Sequence, residues 1–416
     1  MTTFTNNWAN RSTSNAESWS RGIRPLRYGA DPREVVSRDR SAPIAPQTVR
    51  VASEEQPLLL ESGVVLDEVD VAFETIGRLN AAGDNAVLVC HPLSADTHAA
   101  RRDSGDRPGW WETMIGPGLP IDPARDFVIT ANVLGGSFGT TGPTSVDPNT
   151  GEPWGPRFPV VTVGDMVRVQ RRLLDALGIT KPVTVIGGGL GALVALESSI
   201  REPERVGRAV VLGAAARRQA QALAIGSLAR RAVQSDPNFR DGWYAPDRRP
   251  TEGLSIARGL LHSSERSAAL LERRFGRSRR DEARSRFTLE NDHSVEWYLD
   301  ATGGRFADRF DANAFLRLSK AADLYDAAAG RGGLVRAMQR VQARTLFVGL
   351  SSDGVHLPGQ TLELHTAALE AGVDSQATLI ETSEGHEAYL TPDAELRRVV
   401  REFLDLTSNE ERREGR

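Results

Sequence analysis

Cysteine is almost absent from this 416-residue chain: Cys90 stands alone, so no disulfide can form within it and no CxxC metal site can be assembled. Lysine is nearly as scarce, with only Lys181 and Lys320, and the basic charge is carried by arginine, which we read as coding bias and not as a phosphate-binding device. No apolar run approaches the ~20 residues of a membrane-spanning helix, and the first residues show no charged-then-apolar leader pattern. A net charge of -4 favours neither nucleic acid nor an acidic membrane surface as partner. Residues 1–52 are rich in Ser, Asn, Arg and Pro without periodicity and read as a disordered tail, although Trp8 and Trp19 offer two docking points. A cytoplasmic globular protein is the expectation. With 40% hydrophobic and 25% charged residues, the length suits one large domain with an insertion, or two domains.

What the chain does have is a run that organises the rest. Val183-Thr184-Val185-Ile186 are β-prone, Gly187-Gly188-Gly189 turn sharply, and Leu190-Gly191-Ala192-Leu193-Val194-Ala195-Leu196-Glu197 open at once into an apolar helix. Strand, elbow, helix is the layout that carries the nucleophile of α/β-hydrolases in G-x-S-x-G. Here the frame Gly187-x-Gly189-x-Gly191 puts Gly189 where that serine stands: the elbow is present and its hydroxyl is missing. The same glycines do not make a dinucleotide turn, because the G-x-G-x-x-G frame fails and no acidic residue closes a second strand about 20 residues on.

Strand patterns also cover 86–93, 127–132, 208–213, 344–350 and 376–381, and helical spacing covers 165–177, 360–371 and 393–406. Residues 58–66 and 69–75 read as a hairpin. From 215 to 338 the strand patterns stop and Ala, Arg, Leu and Glu recur at helical spacing. The expected architecture is a mainly parallel α/β-hydrolase core, 53–214 and 339–408, interrupted by a helical cap, 215–338, and ending in a frayed tail, 409–416. In such a core the acid and the histidine follow the nucleophile, each on a loop after a strand. Asp353 lies just past strand 344–350 and His386 just past strand 376–381, so the two form the candidate acid–base pair beside Gly189.

From residue 57 to 406 the sequence resembles the homoserine O-acetyltransferases. The strings that carry the resemblance are long. They include Cys90-His91-Pro92-Leu93-Ser94-Ala95-Asp96, Asn132-Val133-Leu134-Gly135-Gly136 and Gly139-Thr140-Thr141-Gly142-Pro143. Arg305-Phe306-Ala307-Asp308-Arg309-Phe310-Asp311-Ala312-Asn313 adds a match in the cap. The resemblance implies acyl transfer from acyl-CoA, with acetyl-CoA as co-substrate and no bound cofactor or metal, to a small amino-acid-like acceptor. It also implies an oxyanion hole from the backbone N–H groups of Leu93 and Leu190, and Arg258 as the grip on the acceptor carboxylate. A homodimer through cap helices is implied too, with helix 222–234 offering apolar contacts.

The departures from that family fall at the site. Gly189 replaces the serine, Leu190 and Ala192 stand where Met and Gly are common, and Ser94 stands for a Thr. Glu265 stands for a tyrosine that meets the substrate, Glu387 for the aspartate after the histidine, and His356-Leu357 for an aromatic–proline pair. Two carboxylates near the amine side, Glu265 and Glu387, suggest a more cationic acceptor than homoserine. Three readings stay open: direct acyl transfer with His386 as general base, water-based hydrolysis over Gly189, and a non-catalytic relative that binds a ligand or partner subunit. Ser137 and Ser94 are the candidate substitute nucleophiles, though neither sits on an elbow. Cys90 reads as inert core, the cluster His91, Asp96 and His98 as loop structure before metal site, and the run Arg273–Arg280 as a solvated helix end with CoA phosphate binding as its alternative.

Overall fold

The computed structural model describes residues 46–414 except 282–286 and 291. Most of the expected N-terminal tail, 1–45, and the last two residues lie outside the described residues.

The strands in chain order are β1 (Gln47–Ala52), β2 (Leu58–Leu59), β3 (Val65–Leu66), β4 (Val69–Ile76), β5 (Ala86–Cys90), β6 (Phe127–Ala131), β7 (Val183–Gly188), β8 (Val206–Leu212), β9 (Arg344–Leu350) and β10 (Ser375–Ile380). Eight form one sheet in the order β1-β4-β6-β5-β7-β8-β9-β10. β1 and β4 run antiparallel to their neighbours, and the six strands from β6 to β10 are parallel. Every residue of β5 and β7 is buried, as strands covered on both faces must be; β5 is correspondingly apolar throughout, and β7 has Thr184 as its one polar side chain. With the glycine elbow at the end of β7, this is an α/β-hydrolase fold.

Helices α1 (Val163–Ala176) and α2 (Leu190–Arg201) lie on one face of the sheet. α1 starts at a capping box in which the Thr162 hydroxyl accepts from the Asp165 N–H and the Asp165 carboxylate accepts from the Thr162 N–H. α2 is buried from Leu190 to Ile200, which fits a helix apolar almost all round. Between β8 and β9 come α3 (Ala220–Ser235), α4 (Thr251–Glu265), α5 (Ala268–Phe275), α6 (Ser294–Arg309), α7 (Ala312–Leu324) and α8 (Leu334–Met338), with α4 packed between α3 and α6. α9 (Pro358–Glu370) joins the α1–α2 face, and α10 (Ala394–Glu414) covers the opposite face through Leu396, Val400 and Phe403.

Three local expectations give way. Residues 47–52 are not tail but an edge strand paired with β4; their outward Gln47, Thr48 and Arg50 hide the strand in a polar composition, and Arg50 binds Asp70 at 2.6 Å and Glu68 at 2.7 Å. The hairpin shrinks to β2 and β3, while β4 joins the main sheet between β1 and β6. The C-terminal helix does not stop at 406 but runs to Glu414, through a stretch whose Glu and Arg are good helix formers.

Candidate active site

The elbow sits at the C-terminal end of the central parallel strands, where this class of sheet places its ligands. Gly189 holds φ 59° and ψ -123°, a conformation that glycine adopts freely and serine only at a cost. Gly191 lets α2 approach β5: a Cβ there would stand 1.9 Å from the Cys90 carbonyl oxygen. Cys90 itself is sealed beneath, and burial pushes its thiol up to about 12, so it holds its proton.

The loops after β9 and β10 bring Asp353 and His386 together. His386 Nδ1–H donates to Asp353 Oδ2 at 2.7 Å, both residues being buried. Asp353 Oδ1 accepts from the N–H groups of Val355 (2.7 Å) and His356 (2.9 Å), which hold the carboxylate as a carboxylate. Burial works against the charged imidazole, but Asp353, with Glu265 and Glu387 behind it, holds His386 above its ordinary value. His356 lies beside it with ring centroids 5.3 Å apart, and burial together with the neighbouring His386 pushes it down to about 3, so it is neutral. His386 Nε2 faces the elbow: a Cβ built on Gly189 would stand 3.2 Å from it.

A cavity of about 60 Å³ opens over this point. Leu93, Ser94 and Leu190 form its core wall, Ala222, Ile225 and Leu261 its cap wall, and Arg258, Glu265, His386, Glu387 and Tyr389 its polar surface. Among the described residues neither the Leu93 nor the Leu190 N–H has a hydrogen-bond partner, and both residues line the cavity. Ser94 lines the wall, and its carbonyl accepts from the Arg309 guanidinium. Ser137 does not reach the cavity: its hydroxyl accepts from the Asp311 N–H at 3.1 Å, at the start of α7.

Arg258 is not waiting for a ligand. Its guanidinium donates to Glu265 at 2.6 Å, to Glu387 at 3.0 Å and to His262 Nδ1 at 3.2 Å. Arginine only donates, so Nδ1 accepts and the His262 proton is on Nε2, which donates to the Tyr298 hydroxyl at 2.6 Å. Arg266 completes the set at 2.7 Å from Glu387. Burial would neutralise these groups, but Arg258 and Arg266 hold both carboxylates below their ordinary value, and the carboxylates hold both guanidiniums above theirs. Two cations thus balance two anions. That removes the basis for expecting a cationic acceptor, since Glu265 and Glu387 leave no net negative charge beside Arg258 and Arg266. His262, Glu265 and Glu387 are close enough to suggest a metal cluster, but the two guanidiniums already occupy their carboxylates. Periodicity could have found half of this network, because Arg258, His262 and Glu265 are four and seven residues apart on α4 and so share one face.

The cap is fastened to the histidine loop by more than these pairs. The Ser267 hydroxyl donates to the Ser383 carbonyl, and Arg273 donates to the Ser383 hydroxyl at 2.7 Å and to Glu384 at 3.1 Å. Arg273 therefore leaves the run expected as a solvated helix end. Gly385 lies so close to the cap that a Cβ on it would stand 2.3 Å from the Glu265 carbonyl oxygen. His91, Asp96 and His98 are taken up in loop structure: His91 Nε2 accepts from the Val133 N–H at 3.2 Å, Asp96 accepts from the His98 N–H at 2.9 Å, and the His98 ring is held by Glu74 at 2.9 Å and by the Arg107 carbonyl at 2.8 Å.

Tyr389 was not signalled by the sequence. It lies in the 3-10 turn His386–Leu390, with its ring over Gly188 and its hydroxyl over Gly189. Nothing in a one-dimensional pattern marks the third residue after a histidine as part of the same surface.

Residues 85–392 match the family described as alpha/beta hydrolase fold. The homoserine O-acetyltransferase of Solidesulfovibrio magneticus is 43% identical over 360 residues, which cover 85% of this chain and 91% of that protein. The homoserine O-succinyltransferase of Litchfieldella anticariensis is 41% identical over 88% of this chain and 94% of its own length. The crystal structure of homoserine O-acetyltransferase from Bacillus anthracis superposes with a TM-score of 0.80 at 26% identity, covering 87% of this chain and 98% of that one.

Proposed function

We propose, from the premise that this chain belongs to the homoserine O-acetyltransferase family, that it transfers an acyl group from acyl-CoA to an amino-acid-like acceptor without a serine acyl-enzyme. The observation that carries this reading is the buried Asp353–His386 hydrogen bond of 2.7 Å, whose free Nε2 faces the bare elbow. The acceptor hydroxyl or amine gives its proton to His386 Nε2 while its oxygen or nitrogen attacks the thioester carbonyl carbon. The oxyanion forms against the N–H groups of Leu93 and Leu190, where two fixed donors in a water-poor site act strongly. As the carbonyl reforms, the C–S bond breaks and the thiolate leaves with the proton from His386. Asp353 holds the imidazole in the tautomer that this shuttle needs. Ser94 lies on the donor side of the cavity, and Arg258 is the group for an acceptor carboxylate. Engaging it requires that carboxylate to displace Glu265, while Glu387 stays anchored by Arg266.

The names of the relatives divide between acetyl and succinyl, so both donors belong in the test. A homodimer through the cap accords with the exposed Leu223 and Leu228 of α3, and an acyl-CoA donor accords with a cytoplasmic setting. Among the described residues no helix is long and apolar enough to cross a membrane. The test is acetyl-CoA and succinyl-CoA consumption by the purified chain against a panel of hydroxy and amino acceptors, beside His386→Ala and Gly189→Ser. Consumption that requires an acceptor and disappears in His386→Ala supports direct transfer. Steady loss without acceptor means that water is the nucleophile. Silence until Gly189→Ser is introduced means a binding protein with a disarmed site.

A further inference from the structure

The space that a nucleophile side chain would fill is already claimed from the other side. Gly188 has no side chain to hold the Tyr389 ring away: a Cβ there would stand 2.4 Å from ring atom Cε2 and 2.5 Å from Cδ2. The Tyr389 carbonyl is held from behind by the indole N–H of Trp111 at 2.9 Å, and its ring meets His386 edge-on, centroids 5.8 Å apart. So fixed, the phenol reaches over the elbow, and a Cβ built on Gly189 would stand 3.0 Å from its hydroxyl oxygen as well as 3.2 Å from His386 Nε2. Tyr389 is 2% exposed and lines the cavity, yet among the described residues its hydroxyl has no hydrogen-bond partner. The ring is buried while the hydroxyl is open to the cavity beside the elbow, so a partner for it must come from a ligand.

We propose that the Tyr389 hydroxyl takes the place of the missing elbow hydroxyl and holds the acceptor's reacting oxygen against His386 Nε2. This rests on the acyl-transfer reading. The phenol O–H donates to one lone pair of the acceptor oxygen. That directs the acceptor's own O–H at Nε2 and leaves its second lone pair for the thioester carbon. Tyr389 keeps its proton throughout: burial, then the carboxylates of Glu387, Glu265 and Asp353, hold it well above its ordinary value. It is therefore a donor and not a phenolate nucleophile. The hydrogen bond substitutes orientation for covalent capture, a contribution that a rigid, pre-packed ring supplies without reorganisation. It also makes residues 188, 189 and 389 one device: glycine at 188 seats the ring, and glycine at 189 leaves room for its hydroxyl.

Two measurements test this. Tyr389→Phe keeps the ring and removes the donor, so with acyl-CoA and the best acceptor we expect kcat to fall roughly tenfold or more with KM for acyl-CoA little changed. Independently of turnover, Gly189→Ser should react slowly with a serine-directed fluorophosphonate, because the phenol occupies the serine's space. Gly189→Ser/Tyr389→Phe should react about tenfold faster or more, as expected when a misplaced group is relieved. Equal labelling of the two variants, or Tyr389→Phe with native kcat in an active chain, overturns this role alone. An acyl adduct on Tyr389 by intact mass also overturns it, since the phenol would then be the nucleophile. A native chain that consumes no acyl-CoA with any acceptor overturns the acyl-transfer reading and this role with it. The labelling comparison still reports in that case whether the phenol fills the elbow.

Discussion

Replacing Arg258 by methionine should expose how the site wall is held. The guanidinium is buried, with Glu265 at 2.6 Å and Glu387 at 3.0 Å, while methionine keeps most of the volume and none of the charge. Glu387 retains Arg266 at 2.7 Å, but Glu265 loses its only guanidinium within ion-pair distance among the described residues. Breaking a buried ion pair from one side costs about 3–5 kcal/mol, because the remaining charge stays desolvated. An unfolding entropy of about 2.1 cal/mol/K per residue gives roughly 0.8 kcal/mol/K for a chain of this size, so Tm should drop by about 4–6 °C. The sign with pH follows from the carboxylates. Glu265 and Glu387 are held below their ordinary value in the native chain, so their contribution is present above the ordinary carboxylate pKa and is lost as pH falls through the depressed values. The gap between native and Arg258→Met should be widest near neutrality and narrow as pH falls below about 5, where Glu265 can take a proton. Adding Glu265→Gln removes the orphaned charge and should recover about half of the loss or more. Differential scanning calorimetry across pH 4–8 reads all of this. A Tm within about 1 °C of native at pH 7, or a double variant no more stable than the single, would refute the reasoning.

Three further outcomes are expected. Because His386 is held above its ordinary value and must be unprotonated to act, kcat/KM should rise with pH through a midpoint above about 6.5; Asp353→Asn should lower both that midpoint and the rate, read from a pH–rate profile. Gly188→Ala puts a methyl 2.4 Å from the Tyr389 ring, so it should cost about 1–3 kcal/mol in a denaturant titration and reduce turnover as the ring shifts. Glu265→Ala frees Arg258 on one side, so KM for an acceptor bearing a carboxylate should fall about tenfold, while an acceptor amide should show no gain; equal effects on both would assign Glu265 another role.

The sheet was legible wherever a strand is buried on both faces, because β5 is an unbroken apolar run, β7 is interrupted only by Thr184, and β9 is apolar after Arg344-Thr345. The elbow was legible because three glycines between a strand and an apolar helix leave few alternatives. β1 was not, since an edge strand shows solvent on one side and reads as loop composition. Asp353 and His386 were placed by chain order alone, which works because each follows a strand directly. The occupants of the cavity are another matter. Arg258, Glu265 and Glu387 could be named singly, but their mutual neutralisation depends on α4 meeting the histidine loop across 129 residues of sequence. Tyr389 escaped altogether, because its significance lies in what Gly188 and Gly189 lack.

The fastening of the cap to the histidine loop also bears on how such chains recombine. Glu387, Glu384 and Ser383 stand on one side of the junction, and Arg258, Arg266, Ser267 and Arg273 on the other. A cap transplanted from a relative without the matching stretch 383–387 would bring buried charges to partners that are not there. The two segments are far apart in sequence but would have to be exchanged together to keep the pairs intact. A change at 265 alters the tolerance for change at 387, and a chimera drawn at the strand boundaries would inherit half of each ion pair.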